Sequence, residues 1–151
     1  MEQLILCLRT LQANSFIFYT KAHGYHWNVE GILFEQFHSF FSEIYNDLWE
    51  TVDDWAEWLR RFDVKAAFSV MDAMSASNIK YDLDMNVSNP LQMLSSLYNS
   101  NEQMLVDLNE CFNVATTTNE QGLANFIAER IDVQEKLGWK LRASMKSMGS
   151  N

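Results

Sequence analysis

Between Phe34 and Leu59 the apolar residues Phe34, Phe37, Phe41, Ile44, Tyr45, Leu48, Val52, Trp55, Ala56 and Leu59 recur at mostly three- and four-residue steps. That period puts them on one stripe of a long amphipathic helix, and a helix is a rigid rod. Before it lies a turn opened by His26-Trp27-Asn28 and closed around Gly31. Nitrogen and carboxylate donors sit off the stripe: His26 in the turn, then His38, Asp53 and Glu57 along the rod. Such a set suits a hard or borderline metal such as iron. Asp53 and Glu57 stand at i and i+4, so both carboxylates share one face and can reach one ion. His38 and Asp53, by contrast, are about 22 Å apart along a continuous helix, too far to ligate the same ion. One chain therefore cannot close a site from these four residues. Two copies packed antiparallel about a two-fold axis can, because His26 and His38 of one copy then meet Asp53 and Glu57 of the other, twice per dimer.

The remainder of the chain supports a helical reading. Pro occurs once and Gly five times in 151 residues, so few breakers interrupt long helices. The length predicts one domain, residues 1–151, able to bury an ordinary core. The hydrophobic share of 48% exceeds what a small helical monomer needs for one core, which hints at buried subunit contacts. Helix one is predicted from Glu2 to Gly24, with Leu4, Leu8, Leu11, Phe16, Ile17 and Tyr19 as its apolar positions. His23 falls near that end, where a cation is welcome, and this role is preferred over a ligand role. Helix two ends near Phe62. The connection from Asp63 to Val87 is too long for a tight hairpin, and Lys65 to Met74 has the propensity for a short helix. Helix three opens with Ser88 or Asn89 as N-cap and Pro90 at the first helical position, and runs to about Ala115. Thr117 and Glu120 read as a capping box opening helix four, and Gly149 to Asn151 as a frayed tail. The sum is an all-α chain of four long helices with one long crossover.

The donor residues and their turn resemble the mini-ferritins of the Dps family. The family pattern is His-Trp-Asn-Val-x-Gly, a second His twelve residues after the first, then an Asp and a Glu four apart. Here HWNVEG begins at His26, and His38, Asp53 and Glu57 follow at that spacing. In helix four Glu135-Lys136 and Trp139 fall where the family tends to place an acidic-basic pair and a Trp. The resemblance implies a ferritin-like four-helix bundle with a short extra helix in the crossover between helices two and three, on the dimer-forming face. It implies a hollow twelve-subunit shell in which His26, His38, Asp53 and Glu57 bind Fe2+ at two-fold interfaces. The iron is oxidised there, preferably by hydrogen peroxide, and Fe3+ is deposited inside, protecting against oxidative damage. Trp27 would pack first and, by the same resemblance, stand beside the iron as an aromatic that absorbs a one-electron oxidant. Glu120, Glu129 and Asp132 are candidates for acidic pores. One position departs from the pattern. Many members carry an Asp four residues after the second His, and here Ser42 stands there. A neutral hydroxyl is a much weaker ligand, which leaves open one or two irons per site, with Glu35 as a possible substitute one turn before His38.

Three other readings compete. A di-iron enzyme with its site inside one bundle requires two Glu-x-x-His motifs on different helices, and Glu35-Gln-Phe-His38 is matched by no second one at His23 or His26. A structural or interaction shell without oxidation chemistry is favoured by Ser42. A merely solvated helix face has to account for four matched positions and an intact turn.

The net charge of −9 and pI near 4.6 set the partners. Acidic character attracts Fe2+. DNA phosphates need clustered Lys or Arg, and the clusters Arg60, Arg61, Lys65 and Lys136, Lys140, Arg142, Lys146 read as solvated helix ends, while Glu2 and Gln3 lead directly into helix one in place of a Lys-rich arm. Cys7 and Cys111 sit singly in apolar patterns, as reduced core thiols of a reducing compartment such as the cytoplasm. No stretch reads as a signal peptide or membrane span, since Arg9 and Gln12 interrupt the apolar opening segment. DNA binding at physiological salt is expected to be weak or absent; a gel shift that survives added salt would refute this.

Overall fold

The computed structural model describes residues 1–66, 69–81 and 89–146. Among them are five helices: α1 (Glu2–Asn28), α2 (Phe34–Arg61), α3 (Val70–Ala76), α4 (Pro90–Thr117) and α5 (Gln121–Lys146), with no strand in the described residues. Contacts across pairs give the directions. His26 meets His38 while Ser15 meets the Trp55 indole, so α1 and α2 are antiparallel. Tyr25 bonds Ser96 while Asn14 bonds Asp107, so α1 and α4 are antiparallel as well. Helices α2 and α4 therefore run the same way and need the long crossover that carries α3. Helix α5 returns antiparallel to α2, shown by Arg130 on Asp47 and Phe126 against Trp55. This is the all-α four-helix bundle with one extra short helix.

The core follows the apolar stripes. Leu4, Leu8, Leu11 and Phe18 of α1, Phe37, Phe41, Leu48, Trp55 and Leu59 of α2, Met93, Leu94 and Leu97 of α4, and Leu123, Ile127 and Leu141 of α5 are buried together. The unbroken α2 is the strongly one-sided member, burying one stripe and exposing the rest. Helix α1 differs, because α2, α3 and α4 all pack on it. Its buried positions therefore include Gln12, Asn14, Ser15 and Lys21. Buried polar groups need partners, and Asn14 and Lys21 find theirs in bonds that tie down the crossover. Asn14 donates to Asp107 at 2.7 Å, and its Oδ1 accepts from the Ser77 hydroxyl and the Asn78 backbone N–H, both at 2.9 Å. The Asn78 side chain returns to Asp107 at 3.0 Å. Lys21 Nζ donates to Ser100 Oγ at 2.7 Å.

Helix ends differ in part from the sequence expectation. α1 continues past Gly24 to Asn28, so His26, Trp27 and Asn28 form its last turn and the link to α2 is confined to 29–33. Asn28 holds that turn by donating to the Gly24 carbonyl at 2.8 Å. His23 is thus not at the helix end, and the expected cation role there is withdrawn. α3 begins later than Lys65, at Val70, where Ser69 accepts from the Asp72 N–H and caps the helix. Asn89 caps α4 through the Leu91 N–H, with Pro90 next, as expected. The alternative cap Ser88 and the tail Gly149–Asn151 lie outside the described residues.

The Thr117–Glu120 capping box does not form. Thr117 belongs to α4 and donates backward to the Asn113 and Val114 carbonyls. α4 instead closes as α2 does. Glu120 N–H reaches the Ala115 carbonyl and Asn119 N–H that of Thr116, with Asn119 at φ 59°. At the end of α2, Val64 reaches Leu59 and Asp63 reaches Arg60, with Asp63 at φ 59°. Both are left-handed closures that satisfy the last carbonyls, using Asn and Asp where Gly is usual. Cys7 and Cys111 carry free thiols, Cys7 half-buried and Cys111 buried. Burial pushes both thiols up.

Asn14→Ala removes the closest donor to buried Asp107 and the acceptor for Ser77 and Asn78. The expected cost is about 2–3 kcal/mol, read as a lowered unfolding midpoint; an unchanged midpoint would show that this network does not hold the crossover.

Candidate metal centre

His26 in the last turn of α1 and His38 in the second turn of α2 are brought together by the link between the two helices, where Gly31 adopts φ 118°, a conformation that favours glycine. The imidazoles stack with centroids 3.7 Å apart and planes 15° from parallel. Each ring is also bonded to the other residue's backbone: His26 Nδ1 lies 2.6 Å from the His38 carbonyl oxygen, and His38 Nδ1 lies 2.7 Å from that of His26. A carbonyl can only accept, so both Nδ1 atoms carry the proton, and Nε2 is the ring nitrogen left to meet an ion. The His26 carbonyl is one of the acceptors that the end of α1 leaves without an intrahelical donor, which is why it is open to His38. Phe34 stacks on the far side of His38 at 4.8 Å. Imidazoles held in a fixed orientation with Nε2 unbonded are what a metal ion asks of nitrogen ligands, and such locks commonly set ligand geometry.

Asp53 and Glu57 lie on the exposed face of α2, fifteen and nineteen residues beyond His38. The helix is continuous from Phe34 to Arg61, so His38 and Asp53 are about 22 Å apart along its axis. Among the described residues no group of three or more His, Cys, Asp or Glu is assembled to hold a metal. The chain thus brings His26 to His38 and Asp53 to Glu57, but not one pair to the other. The carboxylates share their surface with Asp54, whose acidity is reduced by burial; Arg130 pulls the other way, and Asp53, Glu57 and Glu50 add to the rise. Trp49, Glu50, Asp53 and Asp54 line an open groove with Gln12.

Ser42, four residues after His38, donates its hydroxyl to the Ser39 carbonyl at 2.7 Å. Its proton is thus committed to its own helix. Glu35 is exposed in the first turn of α2. Trp27, expected to pack first, is 64% exposed and touches His23 at 3.9 Å between ring centroids, so within one chain it covers no core. His23, assigned above to a helix end, stacks on Tyr45 at 4.0 Å and 17°, and its Nδ1 lies 2.9 Å from the Tyr19 hydroxyl. Burial, then the neighbouring His26, lower its basicity, which favours the neutral ring. From the sequence Tyr19 and Tyr45 are read as apolar positions and His23 as a helix-end cation, and their joining with Trp49 in one aromatic cluster is not foreseen. Their spacing was a usable signal: Tyr19, His23 and Trp27 stand four apart on α1, and Tyr45 and Trp49 four apart on α2.

Of the groups discussed for other roles, Glu129 and Asp132 are exposed and Glu120 is half-buried. Arg60, Arg61, Lys65, Lys136, Lys140, Arg142 and Lys146 are exposed, with Arg61 over the Trp58 ring and Lys140 3.8 Å from Glu43. No described helix is long and apolar enough to cross a membrane.

Comparison with known proteins agrees with this architecture. The family model described as a ferritin-like domain matches residues 5–148. An uncharacterised protein of Haemophilus influenzae is 31% identical over 140 residues, 93% of this chain and 86% of its own. DNA protection during starvation protein 2 of Bacillus anthracis is 25% identical, covering 94% of this chain and 96% of its own. Among solved structures, the Dps protein of Vibrio cholerae O1, described as a member of a broad superfamily of ferritin-like diiron-carboxylate proteins, superposes with a TM-score of 0.91 at 30% identity, over 96% of this chain and 90% of that one. A helix order with one long crossover, a family model spanning nearly the whole sequence and these relatives together place the chain in the ferritin-like family, as a Dps-type mini-ferritin.

Proposed function

We propose that this protein takes up Fe2+ as substrate at sites shared between two copies of the chain, oxidises it, with hydrogen peroxide as the preferred oxidant, and stores the ferric product inside a closed shell of twelve subunits in a reducing compartment such as the cytoplasm. The observation that carries this reading is the reciprocal His26–His38 lock, which leaves both Nε2 atoms to meet an ion while the matching carboxylates Asp53 and Glu57 stay exposed at the far end of the same rod. Antiparallel pairing of two α2 helices brings each imidazole pair to the other copy's carboxylates, giving two equivalent sites per pair. Apolar side chains beside both half-sites favour such a pairing. Trp27, Ile32 and Leu33 near the imidazoles and Trp49 near the carboxylates are exposed in the single chain, Ile32 fully so.

In this mechanism the imidazoles hold the ion without adding charge, and Asp53 and Glu57 supply two negative oxygens that favour the trivalent product over Fe2+. The residues act as ligands; no general acid or base is required. The net charge of −9 concentrates Fe2+ near the surface. Ser42 offers only a neutral hydroxyl where a carboxylate would hold a second iron, and on that ground we infer one firmly held iron per site. The same residue favours the second reading, a Dps-like shell with weak or no oxidation chemistry.

Anaerobic Fe2+ titration followed by peroxide separates the two: stoichiometric oxidation supports the first, and bound but unoxidised iron the second. His38→Ala removes a ligand and the donor that fixes the His26 carbonyl, and Asp53→Ala removes a carboxylate. Each is expected to weaken Fe2+ binding by roughly 10- to 100-fold or more. A variant that cannot self-associate should keep its helical circular dichroism and lose tight Fe2+ binding; tight binding by that monomer would sink the shared site.

Ser42→Asp restores a carboxylate one turn after His38. Calorimetric titration is expected to show Fe2+ stoichiometry rising from one to two per site, and no rise would remove Ser42 as the reason for single occupancy.

A further inference from the structure

Two amide oxygens inside the bundle meet no donor among the described residues: Oδ1 of Asn101 on α4 and Oε1 of Gln134 on α5. Asn101 is 0% exposed and Gln134 1%, so bulk solvent reaches neither. A buried acceptor without a donor is costly, and folded chains satisfy nearly all of them with protein groups or ordered water. We propose that one water molecule, enclosed between α4 and α5, donates a proton to each of these oxygens and so bridges the two helices.

The orientation of the Asn101 amide is set by its other end. Its Nδ2 donates to the Gln134 backbone carbonyl at 2.8 Å, across the two helices. A carbonyl only accepts, so a turned amide would set oxygen against oxygen, and Oδ1 is therefore the atom without a partner. The same bond brings Asn101 to the very residue that carries the second unpartnered oxygen. Both oxygens thus belong to one contact between α4 and α5, and neither can serve the other, because both accept. The turns on either side of Asn101 bury Leu97 and Met104, which have no donor to lend. The pair calls for a small group with two donors. Water fits that description, and about two to four polar partners are what hold it in an interior. A cation fits less well, since two neutral amide oxygens carry no charge to offset its own. Gly138 is an independent sign that this place is kept for polar groups. It is buried in the middle of α5, where glycine costs helix stability relative to alanine. A Cβ there would stand 3.1 Å from Asn101 Nδ2 and 3.5 Å from Arg142 Nη1. α5 gives up a side chain where the Asn101 amide lies.

The test is a crystal structure of the whole wild-type assembly at a resolution that shows ordered water. One density peak is expected within hydrogen-bonding distance, about 2.7–3.2 Å, of both Asn101 Oδ1 and Gln134 Oε1. Asn101→Leu and Gln134→Leu each remove one of the two acceptors at similar volume, and each is expected to lose the peak. Chemical unfolding supplies a second readout, because two acceptors served by one water are coupled. Gln134→Leu is expected to lower the unfolding midpoint less in the Asn101→Leu background than in the wild type, where it strands the remaining oxygen. Equal shifts in the two backgrounds would overturn the shared water. So would density in which Gln134 Nε2 bonds Asn101 Oδ1 directly, a peak with the additional oxygen partners of a metal cation, or no peak at all. None of these readouts involves iron, so they decide this inference whatever the outcome of the Fe2+ titration.

Discussion

A helix cannot fold back on itself, and the architecture of the site turns on that constraint. α2 runs unbroken for 28 residues, a rod about 42 Å long, and it carries an imidazole near one end and two carboxylates near the other. No rotamer of His38 or Asp53 spans the interval. Helix α1 adds the second imidazole at the same end, because the short link makes α1 and α2 a tight antiparallel hairpin. Each chain thereby holds His26 with His38 at one end and Asp53 with Glu57 at the other, and the proposed site needs a second copy to join them.

Within the half-set at the hairpin the controlling feature is again a backbone property. The last carbonyls of α1 have no partner inside their helix, and His38 Nδ1 donates to one of them. His26 answers by donating to the His38 carbonyl. One pair of bonds therefore closes a helix end, fixes a proton on each Nδ1 and aligns two rings. The aromatic cluster of Tyr19, His23, Tyr45 and Trp49 is built on the next turns of the same hairpin, so its position relative to the imidazoles is set by the same packing. On the opposite side of α1, the bonds of Asn14 and Asp107 with Ser77 and Asn78 tie down the crossover that lets α2 and α4 run in parallel.

Much of this was legible in the sequence. The three- and four-residue spacing from Phe34 to Leu59 gave α2 to within a few residues, because burial of one stripe is the dominant energy of an amphipathic helix and leaves a periodic trace. Asn89-Pro90 gave the start of α4, where the side chain and ring act locally. The errors fell where a local pattern had competing uses. Thr117 looked like a cap, yet its hydroxyl was better placed to bond back into α4, while Asn119 took the left-handed turn. Gly24 looked like a stop, yet Asn28 bonds the Gly24 carbonyl and α1 gains another turn. His23 looked like a cation at a helix end and is an aromatic partner in mid-helix.

The sequence by itself determined the rods, their apolar faces and the spacing of His26, His38, Asp53 and Glu57 along them, since helix rise and period are properties of the backbone. Only the tertiary structure decided that the two histidines stack and hold each other's carbonyls, that Tyr19 meets His23 beside Tyr45, and that Asn14 reaches Asp107. These are contacts between chain positions brought together by packing of whole helices, and side-chain directions across such an interface leave no periodic mark in either partner's sequence.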